Sequence, residues 1–562
     1  MDKIWLKSYP VGVPAEIDLN GCASVNAMFA QSCREFAGLP AFRNLGATLT
    51  YAALERRSRD FGAWLQSLGL PKGTRIALMM PNLIQYPICV LGAFRAGMIV
   101  VNINPLYTAR ELEHQLKDSG AQVIVIVENF AHVLQQVIGN TQVRHVVTTA
   151  IGDMLGPGRR WVVNYVVRRV KKLVPPWHIE GAIGLRTVLS RGAKSTLDEA
   201  SPAPDDTALL QYTGGTTGLS KGAILTHGNL VANVLQAEAW TRSAFNEGRE
   251  IVVTALPLYH IFSFTVNFLL FMRVGGLNLL ITDPKDMKAF VKELRNSGFT
   301  GITGVNTLFN GLLHTPGFAE LDFSRVRFCV GGGAAVHRAV AERWKAVTHR
   351  PLIEGYGLTE ASPMVTSSPL DSEVFTGTIG LPFPSTEISL RDDENREVPL
   401  GSDGEICVRG PQVMKGYWQK PEETERAFTP DGWLKTGDIG VMDERGYTRV
   451  TDRKKDMILV SGFNVYPNEV EGVIASLPGV LECAVIGVPD TVVGEAVRAF
   501  VVRADAGLTA EAVIAHCRTN LTKYKVPRHV EFTGDLPKNP IGKVLRRELR
   551  APYWQGRARN VG

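Results

Sequence analysis

The chain has 562 residues, 45% of them hydrophobic and 21% charged. That length exceeds what one hydrophobic core holds, so at least two domains are expected, and the composition argues against disorder over most of the chain. The formal net charge of +6 is a mild excess from which no nucleic-acid partner is expected, and the seven scattered cysteines, without a CxxC pair or a Cys/His cluster, argue against a disulfide framework and fit reduced cytosolic thiols.

The opening, MDKIWLKSYPVGVPAEIDLN, has no long apolar stretch followed by a small-residue cleavage site, so no signal peptide is expected. Short β-branched runs follow: RIALMMP near Arg75, MIVVNINP near Met98, AQVIVIV near Ala121 and VRHVVTT near Val143. Helical patterns such as ELEHQLKDSG from Glu111 lie between them, and this alternation predicts parallel sheets with crossover helices. No repeat of fixed period occurs.

The segment Arg159 to His178, RRWVVNYVVRRVKKLVPPWH, predicts one basic amphipathic helix. Val162, Val163, Val166, Val167, Val170, Leu173 and Val174 would share one face, with Arg168, Lys171 and Lys172 opposite and Trp161 and Trp177 at the ends. Such a helix can lie in a membrane interface or pack on the body with a solvated basic face.

Next comes YTGGTTGLSKG, Tyr212 to Gly222, after the apolar run ALLQYT. Gly214, Gly215 and Gly218 let the backbone turn tightly and bring N–H groups to an anion. Thr213, Thr216 and Thr217 add hydroxyls and Lys221 a cation, a cradle suited to polyphosphate rather than a plain flexible turn. It is not Walker A, because Lys221 follows Ser220 and precedes Gly222.

Ile251 to Met272 is uncharged and long enough to span a membrane, but Pro257, His260 and Asn267 interrupt it. A buried strand (IVVTAL), a turn (PLYH) and a buried helix (SFTVNFLLFM) are expected instead. EGYGLTE, Glu354 to Glu360, could bracket a flat ring between its glycines and Tyr356, with Thr359 and Glu360 reaching a phosphate and a metal; alone, it could equally be a turn into a helix.

After about residue 380 the texture changes to short strands between Gly and Asp turns (ICVRG, YTRVTDR, KDMILVSG). In GWLKTGDIG, Asp438 could accept two ribose hydroxyls, or simply sit in a turn. From Pro467 a small α+β unit is expected, ending in the basic VLRRELR. DRKKDMILVSGFNVYPNEVE and PKNPIGKVLRR, which holds Lys543, complete the set, with a domain boundary expected at Thr451 to Lys455.

These five segments, in this order and spacing, resemble the adenylate-forming superfamily, which includes acyl-CoA synthetases, luciferases and peptide-synthetase adenylation domains. Within it, PLYHIFSFTVNFLLF, ITGVNTLFN, VSGFNVYPNEVE and IWLKSYPVGVPAEI are most similar to bacterial long-chain fatty acyl-CoA synthetases. The resemblance covers about residues 4 to 550 and implies an α/β fold. A large N-terminal domain of layered sheets and helices (1–451) would carry the ATP and acyl sites, and a small mobile α+β C-terminal domain (452–562) the catalytic lysine.

It further implies ATP, Mg2+ and coenzyme A as co-substrates and a fatty acid as substrate. Lys543 would bridge carboxylate and phosphate. Thr213 to Lys221 would hold the β- and γ-phosphates, and Glu360 with Thr213 the magnesium. Asp438 and Arg453 would hold the ribose. Gly331 to Gly333 with Glu354, Gly355, Tyr356 and Gly357 would wall the adenine. Lys455 would be the hinge about which rotation brings Ser461, Gly462 and Phe463 towards coenzyme A. His260 would flank the acyl site, although alone it could be a core histidine.

Phe262, Phe264, Phe268, Leu269 and Phe309 offer an apolar lining, and Phe264 stands where some relatives carry a gating tryptophan. No insertion follows the hinge, which favours the coenzyme A reaction over a fatty acyl-AMP ligase. The alternatives are a medium-chain or aryl acyl-CoA ligase and, in another class, a non-catalytic membrane-associated fatty-acid binding protein. A cytoplasmic location is expected, with peripheral contact at an anionic membrane through residues 159–178 as one reading. Oligomeric state stays open, a homodimer included.

Overall fold

The computed structural model describes residues 3–213 and 220–555. Gly214, Gly215, Thr216, Thr217 and Gly218 therefore lie outside the described residues.

The β-branched runs become strands buried on both faces, as parallel sheets flanked by helices require. Arg75–Met79, Ile99–Ile103, Val123–Val127 and His145–Thr149 are parallel neighbours in an eight-stranded sheet. That sheet continues through Thr207–Thr213 to the antiparallel Lys221–Thr226 and the edge strand Gly416–Tyr417. The crossover helix Ala109–Ser119 opens with a Thr108–Glu111 capping box and stops at Gly120, whose φ of 61° suits glycine.

A nine-stranded sheet holds Ile251–Thr254, Gly301–Gly304, Phe328–Gly331 and Ile353–Gly357 in parallel sequence. A four-stranded antiparallel sheet of Glu387–Arg391, Gly404–Arg409, Leu434–Met442 and Thr448–Arg453 completes the large body. The small unit has its own five-stranded sheet, running from Ile458–Val460 to His529–Phe532, and its own buried clusters around Val485 and Phe500.

Ile251 to Met272 resolves into a strand, a turn and a buried helix that starts as a π-helical stretch, Ser263–Leu269. Among the described residues no helix is long and apolar enough to cross a membrane, and the seven cysteines are all free.

Residues 159–178 differ from the single helix expected. The α-helix runs only from Pro157 to Tyr165, followed by a π-helical turn, Val166–Val170. The wider turn rotates the later side chains away from 3.6-residue spacing. Val167 goes inward, and Arg168, still half exposed, grips Glu128 with Nε and Nη2 at 2.8 and 2.6 Å. Trp161, Val162, Tyr165, Val170 and Leu173 are exposed.

Candidate active site

Lys543 reaches the large body on a turn of the small unit. The turn is pinned by Thr307 Oγ1 donating to the Gly542 carbonyl at 3.1 Å, and nearby Asn310 Nδ2 donates to the Leu481 carbonyl at 2.9 Å. Gly542, at φ 88°, needs its missing side chain: a Cβ there would sit 2.6 Å from Thr307 Oγ1. Enclosure, then the Arg453 charge, pushes the Lys543 amine down to about 7, while Asp438 opposes the shift.

Asp438 lies in a strand, not a turn, directly opposite Arg453. It is buried and accepts a hydrogen bond from the Tyr356 hydroxyl at 2.7 Å and pairs with Arg453 Nε at 3.1 Å. Tyr356 comes from EGYGLTE, so this contact joins two of the sequence segments. Lys455 follows in the turn after Arg453, its amine lowered to about 8 by burial and by the Arg453 charge.

The glycine wall is a close backbone approach. A Cβ on Gly332 would stand 3.1 Å from the Gly355 carbonyl oxygen and from the Phe262 ring; one on Gly357 would collide with the Pro363 carbonyl at 2.1 Å. Gly333 has φ 74° and faces Ile541 of the lysine turn. Glu354 accepts the Val336 N–H at 3.0 Å, and burial pushes its carboxyl up to about 8, so at neutral pH it is mostly protonated.

His260 sits in the turn after Ile251–Thr254. Its Nδ1 accepts the Phe262 N–H at 3.3 Å, which leaves the proton on Nε2. Burial and the neighbouring Lys543 charge hold the imidazole at about 4, so it is a neutral donor. Phe264, Phe268, Leu269 and Phe309 are fully buried, with Phe268 against Phe42 and Phe309 against Trp344.

Thr213 ends its strand opposite Lys221. Glu360 follows Thr359 in a short 3₁₀ turn, and its Oε1 accepts the Tyr417 hydroxyl at 2.7 Å. Lys221 Nζ pairs with Glu423 at 2.6 Å. Ser461 and Gly462 stand apart on an exposed two-residue hairpin with φ 51° and 84°, a turn of primed type.

Sequence reasoning passed over Tyr417, Glu423 and Arg546. A signal was present in GYWQKPEETE, where Gly-Tyr precedes a proline-led helix with acidic residues in its first turn.

The family described as AMP-binding enzyme matches residues 29–418, and the AMP-binding enzyme C-terminal domain matches 469–543. The chain is 58% identical over 551 residues to the long-chain-fatty-acid–CoA ligase of Yersinia pestis, covering 98% of each. It is 55% identical to the protein of that name from Escherichia coli O6:H1, again covering 98% of each. ATP-bound MatB from Rhodopseudomonas palustris superposes with a TM-score of 0.80 at 30% identity, over 94% of this chain and 99% of that one. With the matches falling on both the large body and the lysine-bearing unit, this chain belongs to the AMP-binding enzyme family.

Proposed function

We propose that the protein is a long-chain fatty acid–CoA ligase, which converts ATP, a fatty acid and coenzyme A to acyl-CoA, AMP and pyrophosphate. The near full-length identity to ligases of that name supports the reading. The observation that carries it is the Lys543 turn of the small unit docked on the large one, Thr307 Oγ1 donating to the Gly542 carbonyl at 3.1 Å, with the Arg453 and Asp438 charges acting on the Lys543 amine.

In the first step a carboxylate oxygen attacks the α-phosphorus of ATP, the bond to the pyrophosphate oxygen breaks, and acyl-adenylate forms. Lys543 neutralises charge as it develops on the reacting phosphate, and positioning supplies most of the rest. Asp438 and Arg453 hold the ribose once Tyr356 yields its place, and Gly332, Gly333 and Gly355 admit the flat base. His260 offers its Nε2–H to the carboxylate. In the second step the small unit turns about Lys455, Lys543 leaves, and Ser461–Gly462 comes in. The coenzyme A thiol then attacks the acyl carbonyl and AMP departs.

Magnesium fits the donor set. Glu360 keeps one carboxylate oxygen beyond the one that Tyr417 engages, Thr213 stands across from Lys221, and a magnesium held largely by phosphate oxygens needs few carboxylates. Bound there with the nucleotide, it supplies charge neutralisation on the phosphates.

Incubating the protein with ATP, magnesium, coenzyme A and a panel of acids tests the reading. Palmitate should give stoichiometric AMP and acyl-CoA. A preference for medium-chain or aromatic acids would redirect it to those ligases, acyl-AMP without acyl-CoA to an acyl-AMP ligase, and no product from any acid to a binding protein.

The location proposed is the cytoplasmic face of an anionic membrane. Exposed Trp161, Val162, Tyr165, Val170 and Leu173, with exposed Arg169, Lys171 and Lys172 beside them, support it. Each such charge is worth about 1 kcal/mol at an anionic surface. Neutralising those three should weaken binding to phosphatidylserine vesicles about 100-fold, and Trp161→Ala should weaken it on neutral and anionic vesicles alike. Sedimentation that is unaltered by either change would remove this surface as the anchor. Arg168 is excluded from the set, because it serves Glu128.

A further inference from the structure

Glu360 and Lys221 come from segments about 140 residues apart, yet one side chain touches both. Tyr417 occupies a two-residue edge strand, Gly416–Tyr417, paired with Lys221–Thr226. Its hydroxyl donates to Glu360 Oε1 at 2.7 Å. The face of its ring lies 4.8 Å from Lys221 Nζ, within range of a cation–π contact.

Tyr417 is itself held from three sides. Its N–H donates to Thr424 Oγ1 at 2.9 Å, the next residue's N–H donates to the Gly222 carbonyl at 2.7 Å, and the Met414 N–H donates to the Glu360 carbonyl at 2.8 Å.

We propose that Tyr417 is a positioning residue for the metal–nucleotide complex, its hydroxyl fixing the Glu360 carboxylate through Oε1 so that Oε2 meets a divalent cation, and its ring fixing Lys221 for the phosphates. This rests on the ATP-using reading above. The arrangement follows a general rule for metal sites: a carboxylate ligand is oriented by a hydrogen bond to its second oxygen, and losing that bond costs about 10–100-fold in metal affinity. Glu423, at 2.6 Å from Lys221, holds the ammonium in place until phosphate competes for it.

The test uses Mn2+ as the probe, with its free ion followed by electron paramagnetic resonance in the presence of a non-hydrolysable ATP analogue. Tyr417→Phe keeps the ring and removes only the hydroxyl. It should weaken Mn2+ binding to the protein–nucleotide complex about ten-fold or more, while affinity for the metal-free nucleotide stays near wild type. Tyr417→Leu should weaken both. In a Glu360→Gln background, Tyr417→Phe should add nothing further, because the group that it orients is gone.

Mn2+ affinity of Tyr417→Phe within two-fold of wild type would overturn the inference, and so would full additivity of the two substitutions. Those results leave the proposed ligase intact. A wild-type protein that binds no nucleotide with or without Mn2+ would overturn the ligase reading and this inference together.

Discussion

Lys543→Ala should reduce acyl-adenylate formation by about 10²–10³-fold or more, while the conversion of supplied acyl-AMP and coenzyme A to acyl-CoA proceeds near the wild-type rate. Removing one preorganised group from a developing charge costs about 10²–10³ in rate. The proposed two-step reaction uses the group in the first step alone. Lys543 arrives on a turn held by Thr307 through the Gly542 carbonyl, and the nearby Asn310 to Leu481 bond is a second contact between two separately cored units. Pyrophosphate exchange would read the first step, and thioester formation from synthetic palmitoyl-AMP the second. Equal loss in both assays would contradict a lysine that withdraws between steps.

Arg546→Ala should destabilise the small unit by about 3–5 kcal/mol, the cost of stranding buried charges. Arg546 donates to Glu471 at 2.9 and 2.6 Å and pairs with Asp452 at 3.1 Å, and its second Nη also meets Asn468. Asp452 is fully buried and Glu471 nearly so. Burial already raises the Asp452 carboxyl to about 6 against the pull of Arg546, and without Arg546 it should rise further.

The sign follows from linkage. A carboxyl with a folded pKa above its unfolded value of about 4 stabilises the fold most below pH 4, and this contribution is lost as pH rises through the folded value. The variant should therefore melt lowest near pH 8 and recover towards pH 5. A melting curve that matches wild type across that range would show that the network carries no such weight. Because Arg546 lies three residues from Lys543, adenylation should fall as well.

The sequence made the scaffold legible where physical pattern was strong. Val123–Val127 could be read as a doubly buried strand because every residue in it is apolar, and Pro257 with His260 marked a break that a membrane span would not tolerate. The candidate phosphate and ribose residues were legible only as chemical types: glycines in a threonine-rich turn, a lone acid, a lysine in a tight turn. Contacts between distant segments were not. Nothing local to Tyr417 says that its hydroxyl meets Glu360, and nothing local to Arg546 says that Asp452 lies across the hinge; such pairings exist only once the sheets have closed. Arg168 is a mixed case. Helical spacing put it on a basic face, where it is half exposed, but did not show that its guanidinium pairs with Glu128.

The enclosure of Lys543 has a consequence for the acid–base traffic of the whole cycle. Burial beside Arg453 lowers the amine to about 7 in the docked arrangement, against an ordinary value far above neutrality. Docking without nucleotide is therefore expected to release part of a proton near neutral pH, so acidification should disfavour it. Phosphate charge across the gap should oppose that release.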